Sequence, residues 1–227
     1  MASRIVLAVD VGGSHVKALT SNRKERRRFV SGRALTAEQM VAGTLEAVAG
    51  WRWSRVTVGV PAPVRGGRVI AEPANLGRGW VEFDFEAAFG KPTQVVNDAV
   101  MQAVGSYRGG RMLFLGLGTG LGSAMIVDGV IEPLELAHLP FRKKTFEDYV
   151  GERGLKKHGK KKWTKNVFDA VQRLSAAMEP DEIVLGGGGV DELETLPDGC
   201  RRGENENAFR GGFRLWDPDW ASHLAET

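Results

Sequence analysis

The stretch that decides the fold lies near the start of the chain and reads Ile5-Val-Leu-Ala-Val-Asp-Val-Gly-Gly-Ser14. Its apolar run predicts a buried strand, Ile5–Asp10, that enters a tight glycine turn. Two more strands, His15–Ser21 and Arg26–Arg33, are predicted to follow as an antiparallel meander. Asp10 at the strand end, followed by Gly12 and Gly13, is typical of a turn that holds an anion, because glycine lets backbone N–H groups approach it closely.

Helices and strands alternate after the meander, which favours an α/β fold. Thr36 and Gln39 have the spacing of a capping box and predict a helix that runs to about Ala49. The other predicted elements are strands at Val56–Val60, Thr93–Val96, Met112–Leu117, Ser123–Val127 and Ile183–Leu185, and helices at Phe83–Phe89, Ala99–Tyr107, Phe146–Lys157, Trp163–Ala177 and Asn205–Trp216. We predict two lobes, residues 1–97 and 98–227, with the last helix placed against the N-terminal lobe.

Composition excludes several classes of protein. The chain has 227 residues, of which 30 are glycine and one is cysteine, so an internal disulfide and a cysteine-rich metal site are excluded. No apolar run of about 18 residues and no signal peptide occur, which predicts a protein of the reducing cytoplasm with no membrane partner.

The net charge of +3 conceals an uneven distribution. Residues 23–33 carry a net charge of +5 and residues 142–173 a net charge of +7, so the rest of the chain sums to −9. Two basic segments on an otherwise acidic chain indicate an anionic partner. The alternative is that the lysine runs are solvated helix faces.

Three glycine clusters follow predicted strands, where ligands of open α/β sheets collect. They are Asp10–Ser14, Gly116–Gly122 and Gly186–Gly189. We interpret them as phosphate cradles to which Ser14 and Thr119 add hydroxyl donors; the alternative is that each is a hairpin turn. Asp10 is a candidate Mg²⁺ ligand through water. The spacings of a Rossmann dinucleotide site and of a P-loop are absent.

Several polar residues are candidates for chemistry. Asp98 follows a predicted strand and suits a general base that takes the proton of an alcohol attacking a phosphoryl group; the alternative is an ordinary helix N-cap. Glu135 and His138 lie three residues apart and suit sugar hydroxyls, although a lone histidine is commonly structural. Asn75 lies in a predicted loop, and its alternative is a turn residue.

Together these motifs resemble the ROK family of sugar kinases, in the actin-like ATPase superfamily, over about residues 4–190. The residues that carry the resemblance are Ile5–Ser14, Pro61-Ala-Pro63 with Asn75 and Trp80, Val96-Asn97-Asp98, Leu117–Gly120, Glu135–His138, Phe146–Gly151 and Gly186–Gly189. Within the family, Gly12–Lys17 and Gly118–Ala124 are most similar to polyphosphate glucokinases. Ala137 departs from the family pattern, which has glycine there.

The resemblance implies a two-lobed, ribonuclease H-like fold with a cleft between the lobes, and phosphoryl transfer from ATP or polyphosphate to the 6-hydroxyl of glucose or a similar hexose. It implies Asp98 as the base, Mg²⁺ near Asp10, no zinc, and a homodimer. The implied ligands of the sugar are Asn75, Asn97, Asp98, Glu135, His138 and Glu147. The implied phosphate ligands are Gly12, Gly13, Ser14, Lys17, Gly118, Thr119 and Gly120, with Gly187 and Gly188 for the nucleotide.

Three other functions compete with a kinase. A DNA-binding regulator of the same family needs a helix-turn-helix module, and no such module precedes the first strand. A nucleic-acid-binding protein would use the basic segments, which match no known module pattern. A catalytically inactive sugar-binding sensor would not need Asp98. The sequence therefore predicts an enzyme that binds no DNA.

Overall fold

The structure of the protein is a computed structural model that describes residues 4–204 and 206–224. The described chain up to Gly105, with Ala208–Pro218, forms a first compact unit. Ser106–Asn207, with the described residues from Asp219 onward, form the second. The division after Gly105 lies eight residues beyond the predicted lobe boundary at residue 97, because the helix that follows Asn97 packs with the first unit.

The first unit is an α/β layer built on a five-stranded sheet of order β3-β2-β1-β4-β7. Strands β1, β4 and β7 are parallel, while β2 and β3 complete the predicted antiparallel meander. Its elements are β1 (Val6–Val11), β2 (His15–Thr20), β3 (Arg27–Val30), α1 (Ala37–Ala47), β4 (Arg55–Val60), β5 (Val64–Arg65), β6 (Arg68–Val69), α2 (Phe85–Phe89), β7 (Thr93–Asn97) and α3 (Asp98–Ser106).

One face of this sheet forms the main core of the first unit. Alternate residues of β1, Leu7, Val9 and Val11, are fully buried there with Met40 of α1 and with Trp80. The predicted capping box is present, since Thr36 accepts from the Gln39 amide and the Gln39 side chain accepts from the Thr36 amide. The opposite face carries Ala8 and Leu19, which pack against Phe209.

The second unit repeats this strand order with different elements. Its sheet has the order β10-β9-β8-β13-β14, again an antiparallel meander followed by two parallel strands. Its elements are β8 (Arg111–Leu117), β9 (Leu121–Val127), β10 (Val130–Leu134), β11 (Pro140–Phe141), β12 (Lys144–Thr145), α4 (Phe146–Val150), α5 (Glu152–His158), α6 (Lys160–Met178), β13 (Glu182–Gly186) and β14 (Cys200–Arg202). Helix α7 (Asn207–Arg214) begins at the last residue of the second unit and continues in the first.

The structure corrects several predicted elements. The helix predicted at Phe146–Lys157 is two helices, α4 and α5, because the chain turns at Gly151 with extended backbone angles. Helix α6 begins at Lys160, three residues before the predicted start. The helix predicted to reach Trp216 ends at Arg214, and its predicted first residue, Asn205, lies outside the described residues. Strands β5, β6, β10, β11, β12 and β14 were not predicted.

Among the residues that the structure describes, none of the helices combines the length and apolar character needed to cross a bilayer.

Candidate active site

The first glycine cluster forms the loop between β1 and β2. The Gly12 amide donates to the His15 carbonyl at 3.0 Å, which closes the turn. Ser31 braces the loop from beyond β3: its hydroxyl donates to the Gly12 carbonyl at 2.6 Å and its amide to the Ser14 carbonyl at 3.0 Å. The amides of Gly13 and Ser14 donate to no acceptor within the described residues, so they are available to an anion.

Asp10 lies at the end of β1, beside this loop. Its carboxylate is 3.5 Å from the Lys17 ammonium on β2. Burial nevertheless raises the pKa of Asp10 above its usual value, because the loss of hydration outweighs the attraction of Lys17. A second cation close to Asp10 would stabilise the ionised form of this buried carboxylate.

No group of three or more histidine, cysteine, aspartate or glutamate side chains that could hold a metal occurs in the described chain. Asp10 alone fits Mg²⁺, which keeps several waters and uses one or two protein carboxylates with substrate phosphates.

Asp98 lies at the same edge of the sheet, because its neighbour on β4 is the small residue Gly59. Gly59 of β4 lies opposite Asp10 in the parallel ladder and opposite Val96 in the next. A Cβ atom at Gly59 would lie 3.4 Å from the Asp98 Cα and 2.6 Å from the Met101 Cε. Glycine at position 59 therefore lets α3 begin directly over the strand ends, beside Asp10.

The structure separates the roles of Asn97 and Asp98. Asp98 is the first residue of α3, and Asn97 precedes it. The Ala99 amide donates to both Asn97 Oδ1 and Asp98 Oδ1, each at 2.9 Å. Asn97 also donates through Nδ2 to the Ala62 carbonyl at 3.1 Å, which ties the Pro61–Pro63 turn to β7. One N–H of Asn97 remains for a ligand. Asn97 thus occupies the capping position that was the alternative for Asp98.

Asn75 lies in a turn that hydrogen bonds anchor near the start of α1. The Glu72 carboxylate accepts from the amides of Gly79 and Trp80, and the Gly77 amide donates to the Leu35 carbonyl at 2.9 Å. These bonds fix the loop against the start of α1. Asn75 is half-buried, and within the described residues no hydrogen bond joins it to Asn97.

The second glycine cluster forms the three-residue loop between β8 and β9. The Gly118 amide donates to the Gly120 carbonyl at 3.2 Å, and the Gly118 carbonyl accepts from the Glu152 amide at 2.9 Å. As in the first loop, two consecutive amides, of Thr119 and Gly120, donate to no acceptor in the part of the chain described. Each unit therefore presents a glycine loop with two available amides at the same place in its sheet.

Glu147, one of the predicted sugar ligands of the second unit, lies against this loop. Glu147 Oε1 is 3.9 Å from His138 Nδ1 and 3.6 Å from the Arg153 guanidinium. A Cβ atom at Gly120 would lie 2.7 Å from Glu147 Oε2, so the carboxylate touches the loop itself. The sequence reasoning did not identify Arg153, which no motif marks.

Glu135 belongs to the same cluster by its charge interactions. Partial desolvation raises the pKa of its carboxyl, the proximity of Glu147 raises it further, and His138 lowers it. Ala137, where the family pattern has glycine, is buried with Leu136 in the core of the second unit. His138 is therefore carried on a packed 3-10 turn, Leu136–His138, with its side chain 69% exposed.

The third glycine cluster packs on the second. Gly187 has a φ of +79°, and a Cβ atom there would lie 2.3 Å from the Leu117 carbonyl oxygen. A Cβ atom at Gly189 would lie 3.0 Å from the same oxygen, whereas Gly188 faces open space. Arg202 holds the chain that follows, because its guanidinium donates to the carbonyls of Val190 and Leu193. The sequence reasoning missed Arg202, which lies in an unpredicted strand.

The motif residues thus come together as two groups, one in each unit. The first contains Asp10, Gly12, Gly13, Ser14, Lys17, Asn97 and Asp98. The second contains Gly118, Thr119, Gly120, Glu135, His138, Glu147, Gly187 and Gly188.

Solved structures define the class of fold. The chain superimposes on the inorganic polyphosphate/ATP-glucomannokinase of Arthrobacter sp. strain KM with a TM-score of 0.81, 23% identity and 99% coverage of both chains. For a ROK family glucokinase from Streptomyces griseus, solved with glucose and AMPPNP, the TM-score is 0.73 at 18% identity, covering 93% of this chain and 98% of that one. The predicted actin-like fold is confirmed.

Proteins related in sequence indicate which kind of sugar kinase the chain resembles. The polyphosphate glucokinase of Mycobacterium tuberculosis (strain H37Ra) is 27% identical over 203 residues, covering 79% of this chain and 76% of the relative. No family model matches the sequence. The resemblance to ROK sugar kinases, and within them to polyphosphate glucokinases, is confirmed by the sequence relatives and the fold together.

Proposed function

We propose that the chain is a hexose kinase that transfers the terminal phosphoryl group of ATP or polyphosphate to the 6-hydroxyl of glucose or a similar hexose. The enzyme class is supported by relatives of both kinds, the polyphosphate glucokinases in sequence and the ROK kinases in fold. The observation that supports the proposal is the contact of Glu147 with Gly120, because Glu147 is a proposed sugar ligand and Gly120 belongs to a proposed phosphate loop.

Polar groups among the motif residues are assigned to bind and orient the sugar. In the second unit Glu135, His138 and Glu147 supply two carboxylates and an imidazole within one charge-coupled cluster. In the first, Asn97 offers its remaining N–H, and Asn75 is assigned by resemblance alone. Carboxylates accept hydrogen bonds from the sugar hydroxyls, while amide and imidazole groups can donate to them.

Asp98 is assigned the role of general base. It would accept the proton of the 6-hydroxyl as that oxygen attacks the terminal phosphorus, and such a base contributes about 10²–10⁴ in rate. Its place at the first turn of α3, over the ends of β1 and β4, supports the assignment. An inactive sensor of the same family has no use for a base in this position.

Charge that develops on the transferring group needs preorganised donors. The available amides of Gly13 and Ser14, and those of Thr119 and Gly120, lie in turns closed by backbone hydrogen bonds, so they would stabilise that charge with little reorganisation. Gly187 and Gly188 are the proposed nucleotide contacts. Mg²⁺, when bound near Asp10, would neutralise phosphate oxygens. Zinc is not part of the proposal.

The choice of donor rests on the lysine segment, defined as Lys156, Lys157, Lys160, Lys161, Lys162 and Lys165 of α5 and α6. Lys156 pairs with Glu152, and Lys160 lies 3.4 Å from Glu194. The other four have no carboxylate within 4.0 Å in the described chain. This excess of cations supports polyphosphate as a donor alongside ATP.

The proposal extends to the setting of the enzyme. The single cysteine supports a reducing cytoplasm. A homodimer that binds no DNA is proposed from the resemblance to ROK kinases.

The proposal is tested by a sugar-by-donor activity matrix with the purified protein. Glucose, mannose, N-acetylglucosamine and N-acetylmannosamine are each combined with ATP and with polyphosphate in the presence of Mg²⁺, and the phosphorylated sugar is quantified. We expect glucose 6-phosphate, with at least one of the two donors. If the protein binds glucose but phosphorylates none of the sugars, the chain is a sensor instead of a kinase.

A further inference from the structure

A row of charged residues crosses three strands of the first sheet on one face. Asp10 of β1 lies directly opposite Lys17 of β2, and Lys17 lies directly opposite Arg28 of β3. Directly opposite residues point to the same side of a sheet. The same face carries Ala8 and Leu19, two positions back along the strands, under Phe209. The row therefore lies beyond the part covered by α7, at the end of the sheet that carries the Gly12–Ser14 loop.

The two cations of this row are poorly compensated. Like charges directly opposite each other on neighbouring strands destabilise the sheet. Asp10 offsets Lys17 at 3.5 Å, but Arg28 is exposed and has no carboxylate within 4.0 Å among the described residues. The arrangement is therefore unfavourable for the fold alone, and an anion held between Lys17 and Arg28 would relieve it.

The other face of the same strand provides the contrast. Phe29 points toward α1, since a Cβ atom at Gly43 would meet its ring at 2.8 Å, and alternation places Arg27 on that side. There Arg27 pairs with Glu25 at 3.0 Å and lies over Trp51. Cations on an edge strand discourage pairing with other chains, and Arg27 serves that purpose. Edge protection does not explain why Arg28 is placed opposite Lys17.

We infer that Lys17 and Arg28 bind the condensed-phosphate part of the donor that continues from the phosphate held by the Gly13 and Ser14 amides. The inference rests on the proposed function and adds Arg28 as a donor-binding residue. A guanidinium binds phosphate oxygens through two parallel hydrogen bonds, and an ammonium attracts them as a point charge. The row carries no aromatic side chain for stacking a base, so its ligand is the phosphate chain, whether inorganic or part of a nucleotide.

The test is tripolyphosphate binding, measured by titration calorimetry without sugar, for the wild type, Arg28→Gln and Arg27→Gln. The control variant removes the same charge from the adjacent residue on the opposite face. We expect Arg28→Gln to weaken tripolyphosphate binding by about three- to tenfold and Arg27→Gln by less than about twofold. The tripolyphosphate affinity of Arg28→Lys should lie between those of the wild type and Arg28→Gln. Thermal melts establish that every variant is folded.

Equal effects of the two glutamine variants would overturn the inference. Steady-state KM values for ATP and for polyphosphate identify the source: an increase with both donors assigns the row to the shared triphosphate, and an increase with polyphosphate alone assigns it to the inorganic chain. Failure of the proposed function would look different, because the wild type would then bind tripolyphosphate in an Arg28-dependent way without phosphorylating any sugar.

Discussion

At the scale of single residues, the site depends on glycines that permit contacts a Cβ atom would prevent. Gly120 touches the Glu147 carboxylate, and Gly151 touches three backbone atoms, with the Glu147 and Thr119 carbonyl oxygens both 2.8 Å from the position of its missing Cβ. The difference matters because a carboxylate at the end of a flexible side chain can move aside, whereas backbone atoms cannot.

We therefore predict opposite outcomes for two alanine substitutions. Gly120→Ala should displace the Glu147 carboxylate and raise the KM for the sugar at least about threefold, with little change in melting temperature. Gly151→Ala should lower the free energy of unfolding by about 1–3 kcal/mol, because the backbone must shift. Sugar kinetics and thermal melts of both variants check this. A Gly120→Ala variant that melts early but keeps its sugar KM would contradict the assignment of Glu147.

Asp10 makes a separate prediction about stability. Since its folded pKa is raised, the native state holds the proton more readily than the unfolded state, and the ionised carboxylate costs stability at neutral pH. Asp10→Asn should therefore unfold at a free energy no lower than that of the wild type at pH 7. Any advantage should begin to shrink as the pH falls through the folded pKa and vanish below the unfolded pKa, where Asp10 is neutral in both states of the wild type.

Urea unfolding of the wild type and Asp10→Asn at several pH values measures this difference. The same variant should lose at least about a hundredfold in kcat, because the carboxylate proposed to hold Mg²⁺ is gone. Reduced stability of Asp10→Asn at pH 7 would show that the Lys17 ion pair outweighs the desolvation of Asp10.

At the scale of elements, the long apolar strands and the glycine loops could be predicted, because burial on a sheet requires continuous apolar runs. The short strands could not. Pro140–Phe141 and Lys144–Thr145 contain two residues each, and their pairing is decided by the chain around them. The break at Gly151 was also unpredictable, since its cause is the close approach of the Gly118–Gly120 loop, which lies 31 to 33 residues earlier in the chain.

The residues of the candidate site likewise divide into those that the sequence predicted and those that it did not. Motif spacing identified Asp10, Asp98, Glu135 and His138 as candidates, and the resemblance to ROK kinases added Glu147. Ser31 and Arg202 hold loop segments through contacts that are not local in sequence, and Arg153 lies beside Glu147. No local pattern marks these three residues. The pairing of Lys17 with Arg28 likewise depends on strand register, which becomes known only when the strands are placed side by side.

At the scale of the whole molecule, charge is the property that separates the donors. The lysine segment belongs to the second unit and the arginine-rich residues 23–33 to the first, so each unit carries its own cationic surface. Under the proposed function, a long polyphosphate would contact more cations of either surface than ATP would.

Activity with polyphosphate should therefore fall more steeply with salt than activity with ATP, because each exposed charge pair is screened. The double variant Lys161→Gln/Lys162→Gln should raise the KM for polyphosphate at least about threefold at low salt and leave the KM for glucose unchanged. Lys91→Gln, which removes an exposed lysine of the first unit, is the control. Identical salt slopes for the two donors would argue that the lysine segment is only a solvated surface.

The central claim is that the chain is a hexose kinase with Asp98 as its general base. Its most direct test is kcat for glucose phosphorylation by Asp98→Asn, with Asp84→Asn as the matched control, since Asp84 caps α2 through the Ala87 amide and asparagine caps equally well. The account predicts a fall of about 10²–10⁴ in kcat for Asp98→Asn, with glucose affinity retained within about threefold, and no change for Asp84→Asn. A folded Asp98→Asn variant whose kcat stays within about threefold of the wild type would contradict it.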